Sequence, residues 1–420
     1  MKRPATWLIA VFIIAEVTFT QTDYSVIENG VPLSIGEVNA IYPVSRTDSD
    51  ISRVHYMLHG EDQVYFVDEA FSPLDSMTVK EGTRTRIRAS HNNHYFLLTE
   101  ILTYADFPFS GGERMNTLID YMGRVYYRKT ELISGDEIYI SKFLLSGIDG
   151  VLYELDGYNS KVLIWKNDGS LAREIRLFEE GSSVRRGSFS LTEDDQYLVV
   201  LKQRLPAEQG GEPHLFLFNS EGNLVRETIL EYDFGVDILV QDSEHAIVCQ
   251  VSDYDLSAGY LSAFYDFNLE KLFEVVASPI LVKFFNDNLY VVHNDSRALY
   301  LSKYNWHTGS NSWTHEILDF PAGRVHRVED IAFLDSSRQY IGLHLLKRYN
   351  PVGRIGRTSI DRDNDVYILQ IIRDNDASNI RELELGDTAP AFKFNYDRTY
   401  ASSISIDVNQ NIRTLAVEED

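Results

Sequence analysis

The chain has 420 residues and sets 39 Lys and Arg against 63 Asp and Glu, a net charge of −24. Such a charge disfavours a nucleic-acid backbone or an anionic membrane surface as partner. A hydrophobic content of 44% makes this a folding composition, and one cysteine, Cys249, excludes an internal disulfide framework or a Cys-based zinc cluster.

The first predicted element is an address. Lys2 and Arg3 precede an apolar run, Trp7 to Ala15, that Glu16 ends. The run is too short to span a bilayer and has the length of a signal-peptide core. Thr18 and Thr20 stand at −3 and −1 from a cut before Gln21. The expectation is a signal peptide over residues 1–20 and one domain over 21–420. That implies export to the periplasm or beyond, with no membrane insertion after cleavage.

Past Gln21, short apolar runs alternate with polar residues and break at Asn, Asp, Gly and Ser, the all-β pattern. Two hairpins recur in turn. Gln63–Val79 reads as a second-type hairpin with no first-type hairpin before it. First-type turns then fall near residues 92, 150, 194, 243, 286, 336 and 409. Between them lie second-type hairpins, clearest in Lys161–Leu177 and Leu215–Leu230, where Gly169 and Gly222 supply the positive φ of a tight turn. Ser403–Leu415 reads as a first-type hairpin with nothing after it. Most steps match a repeat of about 40 to 50 residues, the size of a four-stranded propeller blade. The spacing predicts an all-β propeller of seven four-stranded blades, or six if residues 116–155 are an irregular extension. Its last blade would be closed by N- and C-terminal strands, with Gln63–Val79 completing Ser403–Leu415.

Three segments carry a resemblance to a known family: Ile406, Asp407, Asn411 and Ile412 in one hairpin, and the stretches Trp165–Ile175 and Phe218–Ile229. Over about residues 85–420 the chain resembles secreted bacterial β-propellers of the NHL/YVTN/TolB-like kind. The resemblance implies the fold and no particular activity. No Trp-Asp dipeptide occurs, which argues against the WD40 subtype.

No nucleophile elbow, zinc-protease helix, P-loop or dinucleotide fingerprint occurs. No catalytic residue is therefore assigned, and enzymatic activity is not the leading expectation. Cys249 lies inside an alternating strand and reads as a structural thiol. Asp361, Asp363 and Asp365 have the spacing of a calcium loop, but Val366 and Ile372 replace its glycine and glutamate. Calcium is the one cofactor this suggests. His91 with His94, and His55 with His59, are further candidate ligand pairs.

Charge distribution says more. Loops between the hairpins of a blade, and those joining blades, would share one face. Arg185, Arg186, Arg324, Arg327, Arg348, Arg354 and Arg357 fall in them, as do Lys393 and Arg398. That face would be nearly neutral on a strongly acidic protein, and arginine suits carboxylate or phosphate contacts. The predicted function is a monomeric exported binding module presenting this face to a protein, peptide or anionic glycan. Two alternatives stand beside it: a calcium-dependent hydrolase or lyase with its site at the channel mouth, and a structural component of an envelope complex.

Overall fold

The computed structural model describes residues 24–419, save for segments 33–34, 36, 46–52, 80–83, 104–111, 134–141, 157–159, 180–186, 205–211, 253–260, 276–277, 295–297, 320–325, 349–364, 387, 396–397 and 408. The expected leader, residues 1–20, lies outside the described residues. No described helix is long and apolar enough to cross a membrane.

The polar breaks seen in the sequence become turns, and the alternating runs become 32 strands in eight antiparallel four-stranded sheets. Strand β1 (Tyr24–Pro32) belongs to the last of them. Blade 1 is β2 (Val38–Pro43), β3 (Tyr56–Gly60), β4 (Gln63–Val67) and β5 (Pro73–Thr78). Blade 2 is β6 (Arg84–Ala89), β7 (Tyr95–Thr103), β8 (Gly112–Asp120) and β9 (Val125–Ile133). Blade 3 is β10 (Lys142–Leu145), β11 (Leu152–Asp156), β12 (Lys161–Trp165) and β13 (Leu171–Arg176). Blade 4 is β14 (Ser188–Leu191), β15 (Tyr197–Arg204), β16 (Glu212–Asn219) and β17 (Leu224–Ile229).

Blade 5 is β18 (Phe234–Leu239), β19 (Ile247–Ser252), β20 (Leu261–Tyr265) and β21 (Lys271–Val275). Blade 6 is β22 (Ser278–Phe285), β23 (Asn288–Asn294), β24 (Ala298–Asn305) and β25 (Asn311–Asp319). Blade 7 is β26 (His326–Phe333), β27 (Tyr340–Arg348), β28 (Asp365–Arg373) and β29 (Asn379–Gly386). Blade 8 is β30 (Ala391–Phe394), β31 (Ala401–Ile406) and β32 (Asn411–Glu419), with β1 as its outer strand.

Burial follows position within a blade. Middle strands such as β16 and β20 are buried on both faces, whereas outer strands such as β13 and β17 are mostly exposed. A sheet buried on both faces needs a neighbour on each side. Each junction between neighbouring blades accordingly holds one apolar cluster. The junction that closes the ring packs Val38, Ile41 and Leu58 of blade 1 on Ile404, Ile406 and Ile412 of blade 8. Closure leaves no sheet face unpaired. The junction of blades 2 and 3 has the smallest cluster, Leu97, Leu118, Leu145 and Leu152. Polar groups supplement it: Arg114 reaches Glu131 at 2.9 Å, and its guanidinium lies 5.1 Å from the Phe143 ring centre.

Gly222 illustrates how tightly the turns fit. Its φ is +77°, and an added Cβ would lie 2.6 Å from Ile164 Cδ1 on the next blade. Glycine meets both demands without strain.

The expected count of seven blades, or six, is wrong; there are eight. Six of the seven first-type turns were placed correctly, but the turn near 409 joins the second and third strands of blade 8. Two first-type hairpins escaped notice. In blade 1 the hairpin is opened by the long connection 44–55, and in blade 8 its inner strand is only four residues. The closing strand is β1, which pairs with β32 from Tyr24↔Glu419 to Pro32↔Asn411. Gln63–Val79 instead completes blade 1.

Candidate functional site

In each blade the first strand lines the central channel and the chain moves outward. Second-to-third and blade-to-blade connections therefore leave from one edge of the ring. First-to-second and third-to-fourth turns leave from the other, here termed the joining edge and the turn edge. Connections 104–111, 134–141, 177–187, 253–260 and 349–364 all leave the joining edge, and on the turn edge only 44–55 is comparably long.

The turn edge is built from a repeated local device. Asn93, Asp195, Arg338 and Arg398 take positive φ values of 54–59° near the end of first-to-second turns. A tyrosine follows two residues on, opening the next strand at Tyr95, Tyr197 and Tyr340 and just preceding it at Tyr400. The turns of neighbouring blades are tied together. Ser45 N donates to Asn92 O at 3.0 Å, and Asn92 Nδ2 to Gly147 O at 2.9 Å. Asp195 Oδ2 accepts from Ser146 Oγ, Gly147 N and Ile148 N at 2.8, 2.8 and 3.0 Å. Glu193 N donates to Gln241 O at 2.6 Å, and the Gln241 side chain clasps the Phe284 backbone at 2.7 and 3.2 Å. Strand residues add to these ties: His344 of β27 meets Ser403 of β31 at 2.8 Å, and Lys393 Nζ of β30 donates to Tyr56 OH of β3 at 2.8 Å.

Inside this belt the channel mouth holds a cavity of about 410 Å³. Ile41, Tyr42, Phe392 and Phe394 form an apolar wall on blades 1 and 8. The rest is charged: Lys283, Lys393 and Arg398 against Glu193, Glu329 and Asp330. Arg398 Nη2 lies 3.4 Å from Glu193 Oε2, so a pair from blades 8 and 4 spans the mouth between opposite sides of the ring. Lys283 Nζ lies 3.4 Å from Asp330 Oδ1. A second chamber of about 360 Å³ shares Glu193, Lys283, Phe394 and Arg398 with the first.

The electrostatics follow from burial and pairing. Asp330, opposing the effect of burial, raises the pKa of Lys283 and keeps it charged. His91 borders the cavity; burial, and then Arg398, push its pKa down to about 4, so it is neutral at physiological pH.

Most of the sequence-predicted site residues fall elsewhere. Arg185, Arg186, Arg324, Arg354, Arg357, Asp361 and Asp363 lie outside the described residues. For Arg327, Arg348 and Asp365 only the backbone is placed, at the joining-edge ends of β26, β27 and β28. Arg348 and Asp365 are register partners. Lys393 and Arg398 were expected on the joining edge. Lys393 sits instead on inner strand β30, and Arg398 in the turn after it, at the opposite edge.

His94 is held within the turn belt, its Nε2 2.5 Å from Ser45 O and its Nδ1 3.1 Å from Asn92 Nδ2. Among the described residues no group of three His, Cys, Asp or Glu side chains is placed to hold a metal. Cys249 is fully buried in β19, and burial pushes its thiol pKa far up, as a structural thiol requires. Sequence reasoning missed the grouping of Glu193, Lys283, Asp330 and Arg398. The repeated polar turn ending in tyrosine marks the turns that carry Glu193 and Arg398, four residues before Tyr197 and two before Tyr400, but not that they meet.

No family model matches the chain, and no curated protein matches its sequence. Solved structures do. The C-terminal WD40 domain of Sif2 aligns over 92% of this chain and 99% of its own, with a TM-score of 0.51 and 9% identity. The WD40 domain of SCAP from fission yeast covers 94% of this chain and 98% of its own, at a TM-score of 0.46 and 10% identity. Streptogramin B lyase covers the same shares, at a TM-score of 0.39 and 13% identity. The first of these likenesses is one of fold, and the fold is that of a β-propeller.

Proposed function

We propose that the protein is an exported binding module that holds an acidic protein, an acidic peptide or an anionic glycan at the joining edge of its propeller. The observation that carries this reading is the asymmetry between the two edges. The turn edge is tied from blade to blade, whereas nearly all the long connections leave the joining edge. A rigid closed ring carrying long connections at one edge is a scaffold for recognition. The backbone positions of Arg327 and Arg348, at neighbouring strand ends on that edge, support an acidic ligand. Export rests on the charged start and short apolar core of residues 1–20.

The probes are a sulfated oligosaccharide and a polyglutamate peptide, each immobilised. The protein should be retained on one of them and released as salt shortens the Debye length from about 10 Å toward 3 Å. Arg324→Glu, Arg348→Glu and Arg357→Glu together should abolish retention while leaving the melting temperature nearly unchanged. Retention by the triple variant equal to that of the parent refutes the arginine-bearing edge. No retention of the parent on either probe refutes the anionic partner. Mass spectrometry of the exported protein should find a start near Gln21.

A further inference from the structure

The cavity at the turn edge calls for a ligand of a different kind, at the end of the ring away from the proposed partner. We propose that it is a small-molecule site for a zwitterion of amino-acid or dipeptide size bearing an apolar side chain.

Size sets the first limit. A cavity of about 410 Å³ lies within the roughly 300–1,000 Å³ range of small-ligand sites. Charge sets the second. Three cations and three acids border it. A simple anion or cation entering would meet as many like charges as opposite ones. A molecule carrying both signs satisfies both sets at once.

The state of the ion pairs is a separate observation. Partly buried pairs elsewhere close more tightly: Arg114 stands 2.9 Å from Glu131 within blade 2, and Lys303 stands 2.5 Å from Asp374 between blades 6 and 7. At the cavity both Arg398–Glu193 and Lys283–Asp330 stand at 3.4 Å. That exceeds the roughly 2.7–2.9 Å of a charge-assisted hydrogen bond. Each group therefore has directional bonding capacity left for a third party, and each is about a fifth to a third exposed.

Arg398 and Lys283 would take the ligand carboxylate, and Glu193 and Asp330 its ammonium group. The wall of Tyr42, Phe392 and Phe394 would receive the side chain. Blade-to-blade ties hold the backbone at Glu193 and, through Phe284, beside Lys283, which lowers the ordering cost of binding.

Isothermal titration of the full chain with the dipeptide Leu-Phe tests this. Saturable one-to-one binding is expected. N-acetylation or C-terminal amidation of the dipeptide should each weaken it at least about tenfold, a loss of roughly 1.4 kcal/mol. Lys283→Met and Glu193→Gln should do the same with unchanged melting temperatures. If Lys283→Met fails to fold, Glu193→Gln carries the test alone. The triple arginine reversal at the joining edge should leave dipeptide binding intact, which separates this site from the one proposed there. No saturable heat up to about 10 mM overturns the proposal. So does equal binding of the capped peptides, or parental affinity in Glu193→Gln.

Discussion

Asp195 ties blade 4 to blade 3 through three donors, and its removal has a calculable cost. The residue is 6% exposed, and its Oδ2 gathers three donors from the turn of blade 3. In Asp195→Ala those donors fare differently. Ser146 Oγ keeps Asp149 Oδ1 at 2.7 Å, and Ile148 N keeps Ser146 Oγ at 3.2 Å. Gly147 N loses its acceptor, Asp195 Oδ2. One orphaned buried donor costs about 1–3 kcal/mol, and weakening the other two bonds adds roughly 0.5 kcal/mol each. The backbone stands at φ +54°, where alanine lacks the local hydrogen bonding that eases Asp and Asn into this region; about 1 kcal/mol more follows. The total is about 3–5 kcal/mol. Unfolding entropy of about 2.1 cal/mol/K per residue gives roughly 0.8 kcal/mol/K for a chain near 400 residues, hence a fall of about 4–6 °C by calorimetry. Asp195→Asn keeps both an acceptor and tolerance of the backbone, and should lose about 1–2 °C.

The same pair of variants has a pH signature. Burial raises the Asp195 carboxyl pKa despite the hydrogen bonds that oppose it. A carboxyl raised in the folded state contributes stability below its ordinary value near 3.9 and loses it as pH rises through the folded value. The parent should therefore fare best against Asp195→Asn at the acid end, with the difference shrinking as pH rises. An alanine variant melting within a degree of the parent refutes the tie. An asparagine variant that gains on the parent toward acid refutes the assigned direction.

Two further outcomes are expected. His344 is fully buried against Phe392, and burial pushes its pKa down to about 3. The unfolded chain takes that proton near pH 6.5 and the native one does not, so stability falls as pH drops from about 6.5 toward 3. His344→Gln should show a shallower acid slope in urea midpoints, and equal slopes would exclude the histidine as the cause. Deleting residues 1–32 removes β1 and leaves nine residues of β32 without their register partners. Amide exchange in β32 should accelerate and the protein should self-associate; unchanged protection there would show that the ring closes without its N-terminal strand.

Turn chemistry was the most legible feature of this sequence, and it also explains the miscount. A polar tip with one residue at positive φ is what the chain needs wherever two strands meet closely. The same need arises at several places in a blade. Asp407 receives Asn411 N at 2.9 Å and Gln410 stands at φ 59°, much as Asp266 receives Glu270 N at 2.8 Å and Leu269 stands at φ 60°. The first turn joins second and third strands, the second joins third and fourth. Local hydrogen bonding is nearly identical in both, so the sequence of a turn reports that strands meet and not which strands they are. Strand rank is settled by burial. β20 is buried throughout because a blade covers each of its faces, and β17 is exposed because none lies beyond it. The channel site was hidden for a related reason. Glu193 and Arg398 are polar turn residues of an ordinary kind, and nothing near either in the chain marks it. Only an eight-fold ring sets blade 4 opposite blade 8, and it is that opposition which carries their ion pair across the mouth. With seven blades no blade has a partner directly across. The blade count that the sequence obscured is thus the same fact that creates the site.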